Sequence, residues 1–173
     1  QLVLDNTGAW YYNADNGQDA LQQLDVGESV EDRFTVASAD GTPQAITITL
    51  AGVEDDPVVT GTPTGSVAVD GEQLIERPLT ITDIDDADSD VHFSDVIAAP
   101  GDEGFGRFTL TGGQWSYQLD SSNAQVRSLQ YGQQLLDSYT FTATDGTQQA
   151  VFVVIAGPDT VPDLNLPQIT EGV

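Results

Sequence analysis

The chain is 173 residues long and carries 28 acidic side chains against four arginines, with no lysine, one histidine and no cysteine, for a formal net charge of −24. A surface of that sign excludes nucleic acid and anionic membranes as partners, because both are held by basic patches. The missing cysteines exclude disulfides and thiolate metal sites as the source of stability.

Asp outnumbers Glu 21 to 7. A halophilic or merely solubilising surface has use for either acid, whereas a short aspartate holds its carboxylate close to the backbone at turns and metal loops. Sites dense in carboxylate oxygen suit hard cations, above all Ca²⁺. The acidity therefore leans towards calcium over plain solvation.

In chain order, the first signals are Trp10 and Tyr12, then Leu21 and Leu24, whose spacing of three marks a short helical turn. Arg33–Ala37 and Ala45–Leu50 are β-branched and alternate with period two. Asp40-Gly41-Thr42 between them reads as a hairpin turn. An acidic joint, Gly52-Val53-Glu54-Asp55-Asp56-Pro57, follows. Farther on comes the densest acidic run, Asp83-Ile84-Asp85-Asp86-Ala87-Asp88-Ser89-Asp90. Phe108–Leu110, Gly112-Gly113 and Gln114–Leu119 form a second hairpin whose Trp115, Tyr117 and Leu119 share one face and enter the core. Ser121–Leu129 is another short helical turn, with Asp120 ahead of it as the cap. Ser138–Thr144, Asp145-Gly146 and Ala150–Ile155 make the last hairpin, and a joint ends at Pro162. The longest apolar run, Ala150–Ala156, is strand length, and neither a signal peptide nor a membrane span is visible. The chain reads as an internal piece of something larger.

Residues 10–52 recur as residues 115–157, shifted by 105 positions without a gap. Trp10 falls on Trp115, Tyr12 on Tyr117, Asp32 on Asp137, Asp40-Gly41-Thr42 on Asp145-Gly146-Thr147 and Gly52 on Gly157. A period of that length is a whole domain, so the chain is a slice of a tandem array. Residues 58–160 form a complete unit, residues 1–57 the C-terminal half of a preceding one, and residues 161–173 a linker and the start of a third. Turn signals every 8 to 12 residues predict an all-β, Ig- or cadherin-like antiparallel β-sandwich with one short helical turn per unit. The half repeat has three ways to fold: packed on the second unit, dimerised by strand exchange, or as a reduced sheet with an exposed edge.

Leu79–Ser89, Gly104–Leu110, Trp115-Ser116-Tyr117, Asp120–Ala124 and Tyr139–Thr147 together resemble a VCBS repeat, a cadherin-like module of very large bacterial surface proteins that include RTX adhesins. The resemblance covers residues 58–160 and, as a half copy, residues 1–57. It implies a secreted or surface-exposed array domain with calcium near its acidic loops and joints. The chain departs from the family at its joints, where an Asn-Asp before proline is replaced by Asp55-Asp56-Pro57 and by Thr160-Val161-Pro162. The second joint lacks an aspartate immediately before the proline and leaves Asp159 and Asp163 to serve.

Five carboxylates in eight residues cannot stay close without a cation between some of them. This makes Asp83, Asp85 and Asp88, with Asp86 beside them, the first calcium candidates; a solvated acidic turn is the alternative. Asp86, Asp88 and Asp90 have the opening spacing of an EF-hand, but Val91 stands at its glycine position and Ile97 at its bidentate glutamate. Glu54, Asp55 and Asp56 at the first joint are the second candidates, against a plain polar linker, and Asp159 is the candidate at the other joint. His92 is the one histidine and has no cysteine or second histidine to join in a zinc site. Chance pairs are unavoidable among 28 acids, no aromatic platform flanks them, and Trp10 and Trp115 are expected in cores, so the chain does not read as an enzyme. The leading reading is a calcium-stabilised extender that spaces a giant adhesin, its partners being neighbouring modules of the same chain. The alternative is a calcium-dependent carbohydrate- or peptide-binding module, or a split domain carrying an inserted binding domain.

Overall fold

A computed structural model describes residues 1–85 and 91–159. They divide into two compact units, Gln1–Val58 with Thr82–Val91, and Val59–Ile81 with His92–Val173.

The first unit contains two antiparallel ribbons. β1 (Leu2–Leu4) pairs with β2 (Trp10–Tyr12), and β3 (Ser29–Ala37) pairs with β4 (Pro43–Ala51). The four-residue helix α1 (Asp19–Gln22) lies between them in sequence. Leu4 faces Trp10 here as Leu110 faces Trp115 in the second copy, but the connecting turn is one residue longer. Asp5 stabilises that turn by accepting hydrogen bonds from the Thr7 amide and hydroxyl and the Ala9 amide.

The second unit is a two-layer, all-β sandwich. Its strands are β5 (Val58–Gly61), β6 (Thr64–Ala68), β7 (Leu74–Thr82), β8 (Val96–Pro100), β9 (Gly106–Thr111), β10 (Gln114–Leu119), β11 (Gln134–Thr142) and β12 (Gln148–Ala156). One sheet runs β5-β7-β10-β9-β8 and the other β11-β12-β6. Strand β6 joins β12 in parallel, while β7 with β10, β10 with β9, β9 with β8 and β11 with β12 pair antiparallel. Period-two alternation aims Ile75, Leu79, Phe108, Leu110, Trp115 and Tyr117 inward from one sheet and Phe141, Val151, Val153 and Ile155 from the other. The ring centroids of Phe108 and Tyr117 stand 4.7 Å apart with the planes tilted by 56°, a favourable contact beyond the area each buries.

Asp137 of β11 is fully buried in this apolar layer. Its carboxylate accepts hydrogen bonds from the Tyr117 hydroxyl at 3.0 Å and from the amides of Glu103, Phe105 and Ser138 at 3.0–3.1 Å. Burial and then the adjacent Asp137 charge push the Tyr117 pKa up, so the hydroxyl remains a donor. Gly101 passes so close that a Cβ there would lie 2.3 Å from the Asp137 carboxylate. The pairing recurs in the first unit, where the Tyr12 hydroxyl donates to Asp32 at 3.0 Å.

The helical turn at α2 (Ala124–Arg127) is where the spacing places it, but its cap is Asn123, which accepts from the Gln125 and Val126 amides. Asp120 instead closes the preceding turn through the Ser122 amide and hydroxyl. Helix α1 has no side-chain cap. Glycine recurs at 52 and 157 because the chain doubles back there: a Cβ would sit 2.2 Å from the Leu24 carbonyl oxygen in one copy and from that of Gln130 in the other.

The two copies differ most in burial. Trp115 is 0% exposed, as expected of a core residue, whereas Trp10 is 49% exposed, contrary to the expectation for its equivalent position. No side chain among residues 1–58 is fully buried. The reason is that strands β5 to β8, which cover Trp115 and its neighbours, have no counterpart in residues 1–57. Among the described residues, the strands of the first unit form two separate two-stranded sheets, β1-β2 and β3-β4.

Removing Asp137 strands the Tyr117 hydroxyl and two loop amides in the core. We expect Asp137→Ala to destabilise the second unit by about 3 kcal/mol or more. Asp32→Ala should cost the first unit much less, because Asp32 is half-exposed. Urea unfolding, followed by the emission of the buried Trp115 for the second unit, reads the difference.

Candidate metal site

The aspartates fall into two groups according to what faces their oxygens. Asp5, Asp40, Asp120 and Asp145 close turns and accept hydrogen bonds from the amide two residues on. These donors hold all four below the usual carboxylate range, Asp40 at about 2, where the Ser38 hydroxyl contributes most. Turn chemistry alone accounts for these four aspartates.

The second group lies in the first unit. Strand β7 ends at Thr82, and the alternation continues beyond it: Asp83 is half-buried, Ile84 exposed and Asp85 only 9% exposed. Asp85 Oδ2 accepts a short hydrogen bond from the Asp55 amide. Asp85 Oδ1 is buried and has no donor among the described residues. The Asp85 amide donates to Asp83 Oδ1 at 3.2 Å. Glu54, exposed on the linker, meets the Asp25 side chain and also feels Asp85 and Asp83, and these like charges push its pKa up, with Asp25 contributing most. Two carboxyl groups in contact with no cation between them share a proton more readily than either would alone.

Of the residues singled out from sequence, Asp83, Asp85, Glu54 and the backbone of Asp55 are therefore brought into one electrostatic neighbourhood. Asp56 is exposed on the linker. Asp159 belongs to the second unit, where its amide donates to Asp70 Oδ2 at 3.2 Å. Asp86 and Asp88 lie outside the described residues. Among the described residues, no three acids or histidines already stand in a metal-holding group. Sequence reasoning missed Asp25. The signal available for it was the repeat itself, since position 25 is Asp where position 130 of the second copy is Gln.

The donor set nevertheless fits a hard cation. A buried carboxylate oxygen without a donor is costly unless a cation or water satisfies it. The carboxylate oxygens of Glu54, Asp25, Asp83 and Asp85 are of the ligand type calcium takes, though among the described residues they do not stand gathered as a site. His92 is engaged structurally, its amide donating to Thr144 Oγ1 and its carbonyl accepting from the Thr144 amide.

No family model matches the chain, and no curated protein matches it. Among solved structures it is similar to PcdhgB3 EC1-4 in 50 mM HEPES, at 11% identity and a TM-score of 0.41, over 91% of this chain and 38% of that one. The chain spans well under half the length of that neighbour. Among the described residues, no helix is long and apolar enough to cross a membrane.

The raised Glu54 pKa fixes the sign of a pH effect. A carboxyl whose folded pKa exceeds its ordinary 4.5 stabilises the fold below 4.5, and that contribution is lost as pH rises through the folded value. We expect the metal-free first unit to gain stability on acidification from neutrality towards 4.5, and Glu54→Gln to flatten the gain. Asp40 works in the opposite sense, its contribution lasting down to about 2. Thermal melts of metal-free protein across this range, wild type against Glu54→Gln, check the assignment.

Proposed function

We infer that the chain is a calcium-stabilised, non-catalytic extender segment of a bacterial cell-surface adhesin, built from modules of the VCBS kind it resembles. The observation that carries the calcium reading is the buried, donorless Oδ1 of Asp85 beside Asp83, with Glu54 and Asp25 repelling one another nearby. Calcium held by Asp83, Asp85, Glu54 and Asp25 would neutralise that repulsion and satisfy the orphan oxygen. It would also tie the linker at Glu54 and Asp55 to the Asp83–Asp85 turn, converting a flexible acidic stretch into a fixed one. The tandem repeat supports the extender role, because repeated modules provide length at constant cross-section. Without cysteine, such a secreted module needs another staple, and a cation that binds only the folded form supplies one by mass action.

The test is a thermal melt in millimolar Ca²⁺ against chelator, with Mg²⁺ and high NaCl as controls. We expect a rise of several degrees specific to Ca²⁺ and largely lost in Asp83→Asn/Asp85→Asn. A rise that NaCl reproduces would reduce the acidity to halophilic solvation and end the calcium reading.

A further inference from the structure

The turn ahead of helix α1 holds an Asn-Gly pair that the second copy of the repeat lacks. The shift of 105 positions sets Ser121-Ser122 against Asn16-Gly17 and Asp120 against Asp15. The turn itself is common to both copies. Asp15 Oδ1 accepts from the Gly17 amide at 3.2 Å, as Asp120 Oδ1 accepts from the Ser122 amide at 2.9 Å. The Gln18 amide closes back on the Asp15 carbonyl at 3.3 Å, as the Asn123 amide closes on that of Asp120 at 3.1 Å. Asn16, Gly17, Ser121 and Ser122 are all exposed, so access of water to this turn is a property of the complete module as much as of the first unit.

Three features make Asn16 reactive. Among the described residues, no hydrogen bond engages its side-chain amide. Its neighbour is a glycine, which leaves the backbone nitrogen open to close approach. A carboxylate oxygen of Asp15 already stands within hydrogen-bond reach of the proton on that nitrogen, the first requirement of a general base. The other described asparagines lack this combination. Asn6 precedes Thr7 and Asn13 precedes Ala14, while Asn123 precedes Ala124 and its side chain caps α2. The Asp-Gly turns lack it too. The amides of Gly41, Gly71 and Gly146 donate to main-chain carbonyls, and hydrogen-bond donors hold Asp40 and Asp145 ionised, a form that resists nucleophilic attack.

We propose that Asn16 is a self-modification site, where the chain converts its own asparagine into a mixture of aspartate and isoaspartate through a succinimide. Asp15 takes the Gly17 amide proton and the Gly17 nitrogen bonds to Asn16 Cγ. The bond from Cγ to Nδ2 then breaks, and that nitrogen leaves as ammonia, carrying the proton away. Water opens the ring. Attack at Cγ restores the ordinary backbone with an aspartate side chain, whereas attack at the main-chain carbonyl leaves the backbone running through Cγ as isoaspartate. The only co-reactant is water, and the step is independent of the calcium reading. Either product adds a negative charge to the chain. Asn16 and Asp55 line one cavity of the first unit, of about 340 Å³, so the new carboxylate joins a wall that already carries an acid. Ser121 has no amide to lose, so the two copies of the repeat diverge in charge as the protein ages.

The test holds the whole chain in mildly alkaline buffer made with isotopically labelled water and follows it by peptide mapping and mass spectrometry. We expect conversion at Asn16 to outpace that at Asn6, Asn13 and Asn123 by at least about tenfold, with isoaspartate among the products and one labelled oxygen in each. Gly17→Ser should convert at least about tenfold more slowly. That variant keeps the turn, because Gly17 is not at positive φ and an added Cβ would meet only Asp15 Oδ1, at 3.4 Å. Asp15→Ala should slow conversion severalfold in the folded chain and leave the rate in urea unchanged, which separates the placed base from the bare Asn-Gly sequence. Conversion at Asn16 no faster than at the other asparagines, or products without isoaspartate, overturns the proposal. Equal rates for folded wild type and folded Asp15→Ala overturn the role given to Asp15.

Discussion

The complete module depends on one buried carboxylate. Asp137 lies on a strand of one sheet, yet it takes a hydrogen bond from Tyr117 in the other and two more from the loop that joins β8 to β9. An ionised carboxylate in an apolar layer is tolerated only when its oxygens are filled by donors, and charge-assisted donors are the strong ones. Asp137 therefore selects one arrangement of sheets and loop, because any other leaves a charge unsatisfied. The surrounding sequence yields to it: Gly101 has no side chain where the loop meets the carboxylate, and Tyr117 stays protonated. The first unit shows what remains when the loop is missing. Asp32 keeps Tyr12, but no side chain among residues 1–58 is fully buried.

The acidic surface divides by the same criterion. Aspartates at turns have amide and hydroxyl donors built into the local chain, which hold them ionised and complete. Glu54 is brought by tertiary structure against Asp25 and within reach of the Asp85 and Asp83 charges, and Asp85 Oδ1 has no donor among the described residues, so this repulsion is left for a cation or a proton to relieve. Composition alone does not separate these groups, since both consist of carboxylates.

The strands, the hairpins at Asp40-Gly41 and Asp145-Gly146, and the inward face of Trp115, Tyr117 and Leu119 could be read from the sequence by itself. So could the internal repeat. Each of these rests on local periodicity or turn stereochemistry, which a short stretch of chain specifies. The acidic run at Asp83 and Asp85 and the linker acids Glu54 and Asp55 were likewise visible as candidates. Tertiary structure alone decided which acids share a neighbourhood, that Asp25 joins them, that Asn123 and not Asp120 caps the helical turn, and that Asp137 is the buried anchor. It alone decided that Trp10 is exposed although its sequence surroundings match those of Trp115. Burial is a property of whatever packs from far along the chain: residues 58–106 cover Trp115, and residues 1–57 contain nothing equivalent to cover Trp10.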